Sequence, residues 1–115
     1  MRAVVAPAIV SVRAWGELPG DRKLPGTLRV LVAGQSAGGV ERVGAEWRAC
    51  WYTAAYRDQF TYHPTAELAV AAVLASGWAR RLGTRKASRV IWSSAARRVA
   101  ARKTTARALE ETIPI

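Results

Sequence analysis

Residues 46–53, Glu46-Trp47-Arg48-Ala49-Cys50-Trp51-Tyr52-Thr53, change character at every step. A strand has a side-chain period of two, so Trp47, Ala49 and Trp51 point one way and Arg48, Cys50 and Tyr52 the other. One face of the resulting sheet is apolar and needs a cover. The cover follows in the chain: Leu68, Val70, Val73, Leu74, Trp78 and Leu82 recur at helical spacing. Thr65 is a suitable N-cap, Glu67 suits the first turn, and Gly83 is a natural stop after Arg80 and Arg81. This helix is apolar nearly all round, which predicts a central core helix with Trp47 and Trp51 packed beneath it.

The same reading extends outward. Ile9 to Trp15 reads as a strand, followed by turn signals at Pro19-Gly20 and Pro25-Gly26. Leu28 to Ala33 is a second strand, with Leu28, Val30 and Val32 on one face. Gly34 to Gly39 reads as a glycine-rich connection, and Val40 to Val43 as the start of a third strand broken at Gly44. Ala54 to Asp58 makes a turn, Gln59 to His63 a last strand, and Pro64 ends it. Beyond Gly83, Arg89 to Ser94 reads either as a strand or as the start of a helix. Ser93 or Ser94 can cap a final helix through Glu111, with Ile91, Ala95, Val99, Ala106 and Leu109 on one stripe. The expected fold is therefore α+β: an antiparallel sheet of four to five strands packed on one apolar helix, plus a basic C-terminal helix. Residues 1–83 form the α+β core domain. Residues 84–115 form a basic helical extension packed on it or appended to it.

Length and charge bound what such a fold does. A chain of 115 residues is one ordinary domain and can bury a real core. Eighteen Lys and Arg against eight Asp and Glu leave a net charge of +10, a field that attracts phosphate backbones or acidic proteins. Cys50 is the single cysteine, so no intramolecular disulfide forms, and a cytoplasmic location is expected. His63 is the single histidine, so no Cys/His cluster holds zinc, and no metal or cofactor is expected. The stretch from Met1 to Val12 reads as the approach to a first strand rather than a signal peptide. The longest apolar run, Leu68 to Ala79, is too short to span a bilayer, so no membrane partner is expected.

The charge is concentrated. From Leu68 to Leu109 there is no acidic residue, yet there are ten basic ones: Arg80, Arg81, Arg85, Lys86, Arg89, Arg97, Arg98, Arg102, Lys103 and Arg107. Guanidinium groups bind phosphate oxygens in bidentate fashion, so this segment is the expected grip on a nucleic-acid backbone. A second cluster is aromatic. Trp47, Trp51, Tyr52, Tyr56, Phe60 and Tyr62 fall among Arg48 and Arg57. Sheet aromatics beside arginines can stack exposed bases, which makes Arg48, Tyr52 and Arg57 candidate base contacts.

Gly34-Gln35-Ser36-Ala37-Gly38 is a G-x-S-x-G string and resembles the nucleophile elbow of the α/β-hydrolases. The resemblance implies Ser36 as nucleophile, with His63 the one available base. The pattern departs elsewhere: Val40 to Thr53 reads as strand rather than helix, and the chain is too short for that fold. The string is read as a hairpin connection and a chance match. Gly34 and Gly39 have P-loop spacing, but Val40 stands where the lysine is required. His63 reads as structural, Cys50 as an inert sheet residue, and Glu41, Glu46 and Asp58 as partners of nearby arginines. A small antiparallel sheet with a packing helix is also the layout of double-stranded-RNA-binding and AP2-type domains, although neither signature is present. The expected function is a small, non-enzymatic nucleic-acid-binding protein, on DNA or RNA, dominated by backbone contacts. The alternatives are an assembly protein that uses its basic segment on an acidic protein partner, and a serine hydrolase acting through Ser36.

Overall fold

A computed structural model describes residues 9–52, 58–84 and 89–101. The predicted strands appear as β1 (Val10–Ala14), β2 (Thr27–Val32), β3 (Gln35–Val43), β4 (Glu46–Tyr52) and β5 (Asp58–His63), each antiparallel to the next. A further strand, β6 (Val90–Trp92), pairs parallel with β1. The order across the sheet is β5-β4-β3-β2-β1-β6. The sheet thus has six strands and is mixed, which corrects the expected antiparallel sheet of four to five. The reason lies in the connection. A parallel neighbour requires a long crossover, and the chain after β5 supplies one by passing over the sheet from one edge to the other. The strand itself is one of the two readings of residues 89–94, and three residues are too few to decide between them by period.

The hairpin turns are tight. Ala33 and Gly34 both have positive φ, 51° and 80°, which is the backbone of a two-residue type I′ turn. That turn takes only two residues, so the expected glycine-rich connection at Gly34–Gly39 is instead mostly strand. Val30 pairs with Gly38 but Leu31 with Ser36, leaving Ala37 as the extra residue of a β-bulge. Ala37 is buried, so the bulge turns one more small side chain into the core.

The core lies on one face of the sheet. Val10, Val12, Leu28, Val30, Val32, Val40, Trp47 and Ala49 are all buried there, and Leu28, Val30, Val32, Trp47 and Ala49 keep the alternation read from the sequence. Helix α1 (Ala66–Leu74) covers β3, β4 and β5 through Ala66, Ala69, Val70 and Val73. Full burial of a Val or Leu side chain contributes roughly 1.5–3 kcal/mol, so this face rather than the turns supplies most of the stability.

The expected single helix from Leu68 to Leu82 is broken. Thr65 caps α1 as predicted, its Oγ1 accepting from the Leu68 N–H at 3.2 Å. The helix ends at Ala75, and Ser76 is extended with its Oγ accepting from the Ala79 N–H at 3.1 Å. It thereby caps a short α2 (Gly77–Ala79), followed by a wide turn over Arg80–Thr84 in which Gly83 has φ 119°. Leu68 is 51% exposed, so α1 buries one face rather than its whole circumference.

Residues 94–101 form a last helix, α3. Ser93 caps it, accepting from the Ala96 N–H at 3.0 Å. Ala96 is buried in the same cluster as Val10 and Val12, with Ala95, Val99 and Ala100 packed against it. Ile91, expected on the stripe of this helix, lies on β6 and is exposed. The predicted continuation of the helix to Glu111, with Ala106 and Leu109, falls outside the described residues.

Candidate functional site

Both α1 and α3 serve the same core, and the side chains that alternate with that core lie on the other face of the sheet. Two rows cross that face. The registers align Thr27, Glu41, Arg48 and Tyr62 in one row. They align Arg13, Arg29, Gly39, Cys50 and Phe60 in the next. Phe60 and Tyr62 stand on the edge strand β5 and are 49% and 54% exposed. The Arg48 guanidinium sits over the Phe60 ring, 5.2 Å from its centroid, and also pairs with Glu41. Across the face Arg29 lies over Trp15, 3.7 Å from the ring centroid, and its Nη2 donates to Asp21 at 2.9 Å. Between these two stacked pairs stand Gly39, which has no side chain, and Cys50, whose side chain is small. The result is a hollow of about 260 Å³ walled by Trp15, Glu41 and Arg48. Such a surface offers flat ring faces and guanidinium planes around a shallow floor.

The loop beside this face is held by acids. Asp21 accepts from the Gly16 and Leu18 N–H groups as well as from Arg29. Glu17 accepts from the Ser93 hydroxyl at 2.7 Å, the Ala14 N–H at 3.2 Å and Arg13 at 3.1 Å. Burial pushes the Glu17 carboxyl up, but those hydrogen bonds and the Arg13 charge outweigh it and hold the group below the usual carboxylate range.

The basic residues named from the sequence distribute as follows. Arg80 and Arg81 are exposed on the wide turn after α2, Arg89 is exposed just before β6, and Arg97 and Arg98 are exposed on α3. None of these five has an ion-pair partner among the described residues. Arg48 is on the open face, as its alternation predicts. Tyr52 is the last residue of β4, in register with Asp58. Arg57, Arg85, Lys86, Arg102, Lys103 and Arg107 lie outside the described residues, as does Tyr56.

Trp15, Arg13 and Arg29 belong to this surface but were not picked out from the sequence. The available signal was the polar half of the alternation in β1 and β2, where Arg13 and Arg29 interrupt runs of valine and leucine. Ser36 lies on the β3 strand of a hairpin, not at a strand-to-helix turn, and its carbonyl accepts from Trp78 Nε1 at 3.1 Å. His63 is hydrogen-bonded to Thr61 Oγ1 at 2.7 Å. Among the described residues no group of three or more His, Cys, Asp or Glu is placed to hold a metal, and no helix is long and apolar enough to cross a membrane. No protein family, curated protein or solved structure matches this chain.

Proposed function

We propose that this chain is a cytoplasmic, non-enzymatic protein that binds single-stranded nucleic acid on the open face of its sheet. The observation that carries this reading is the pair of half-exposed rings on β5, Phe60 and Tyr62, with Arg48 stacked over the first. Half-exposed rings on one face of an edge strand leave flat apolar surfaces open, and unpaired bases are flat, apolar-faced partners for them. The surrounding charge of +10 supplies the long-range attraction to phosphate. Arg80, Arg81, Arg89, Arg97 and Arg98 add exposed guanidinium groups for the backbone. Bases inside a duplex are already stacked, so the rings favour single strands.

The test is fluorescence anisotropy with labelled single-stranded and duplex oligonucleotides across a salt series. Binding to single strands is expected to be the tighter, with log K falling linearly against log salt. Phe60→Ala and Tyr62→Ala should each weaken single-strand binding by about 1–3 kcal/mol, roughly five- to 150-fold, with melting temperature unchanged. Absence of binding near physiological salt sinks the reading and redirects the basic surface to an acidic protein partner.

A further inference from the structure

We infer that a bound strand continues past the sheet face, turns round the end of β1 at Trp15, and has a phosphate held there by Lys23 and Arg98. The inference rests on the reading of the open face given above and extends it to a second subsite. Trp15 lines two hollows at once. One is the 260 Å³ hollow of the open face, with Arg48 and Glu41. The other, of about 340 Å³, lies between the β1–β2 loop and α3, with Lys23 and Pro25 on one wall and Ala95, Arg98 and Val99 on the other. The indole therefore stands between a base-sized floor and a cationic cleft.

Trp15 is a fixed post. Its backbone N–H donates to the Thr27 carbonyl at 3.0 Å, and Arg29 is stacked on its ring. Lys23 and Arg98 are both exposed, and neither has an ion-pair partner among the described residues. The one carboxylate in the second hollow is Glu17, and its oxygens are already taken by Arg13, the Ala14 N–H and the Ser93 hydroxyl. The charge left for a ligand is positive, from a planar guanidinium and an ammonium that line the same hollow. That pair suits a phosphodiester, which accepts from both.

The experiment compares labelled single strands of about 4 and about 12 nucleotides, lengths that bracket usual single-strand site sizes. The longer strand is expected to bind at least about tenfold tighter, since it reaches a second cationic subsite. A Lys23→Ala/Arg98→Ala double variant should lose that advantage and lower the salt slope on the long strand by about 1. Its affinity for the short strand should fall by less than its affinity for the long one, and both positions are exposed, so its melting temperature should match the parent. Equal weakening of short and long strands would mean a general loss of charge and overturn the subsite. An unchanged long-strand affinity would overturn it as well, while leaving the open face standing if Phe60→Ala still weakens binding. Failure of both lengths to bind removes the subsite together with the reading it rests on.

Discussion

Gly38 shows how a single missing side chain sets the helix on the sheet. A Cβ at this position would lie 2.3 Å from the Cys50 carbonyl oxygen and 2.9 Å from Val73 Cγ1. Backbone on one side and the core helix on the other leave nothing free to move. Gly38→Ala is therefore expected to destabilise the fold by about 1–3 kcal/mol, the usual cost of overpacking. Gly39 is the internal control, because a Cβ there meets the Leu28 carbonyl oxygen at 3.4 Å and Cys50 Sγ at 3.7 Å, both ordinary contacts. Gly39→Ala should shift stability by no more than about 1 kcal/mol. Urea midpoints of the two variants decide it; equal losses would refute the close approach. The string Gly34–Gly38, which resembles a catalytic elbow in the sequence, thus owes its small residues to a type I′ turn, a bulge and a helix contact.

Among the elements, α3 has its polar tie to the sheet at one residue, beside the packing of Ala96 in the core. The Ser93 N–H donates to the Val12 carbonyl, its Oγ caps α3, and its hydroxyl donates to Glu17. Ser93→Ala removes the cap and one partner of a nearly buried carboxylate, and should cost about 1–2 kcal/mol, with Ser93→Thr recovering most of it. The same contact sets a pH dependence. Glu17 is held below its ordinary value of 4.5 in the folded state, so the native protein binds fewer protons there than the unfolded chain. Its contribution is complete above the unfolded value and drains away as pH falls through the folded one. Urea midpoints measured through that acid range should fall less steeply for Ser93→Ala than for the parent. Parallel curves would show that the hydrogen bond does not set the shift. A cap at Ser93 or Ser94 was legible in the sequence, since a serine ahead of a helical stripe is a short-range signal, and the structure selects Ser93. Glu17 as its partner was not, because the two are 76 positions apart.

The whole molecule depends on the segment that closes the sheet. β6 occupies the free edge of β1, and Ala96 of α3 is buried with Val10 and Val12. Removal of residues 89–115 strips that edge and opens the core beside it. The truncated chain is expected to lose cooperative thermal unfolding or to aggregate through the bare β1 edge. A sharp transition near the parent melting temperature would show that residues up to 88 are self-sufficient.

Periodicity and turn chemistry settle what neighbours along the chain do to one another. Hence β1, β2, β4 and β5, the burial of Leu28, Val30, Val32 and Trp47, the cap at Thr65 and the outward placing of Arg48 were all readable beforehand. They follow from alternation, and alternation is a property of adjacent residues. The parallel pairing of the sixth strand, the break at Ser76 and the meeting of Trp15, Arg29, Lys23 and Arg98 around one corner depend on where a crossover lands. That is decided by packing between segments far apart in the chain, which no local pattern encodes, and it took the folded arrangement to bring them together.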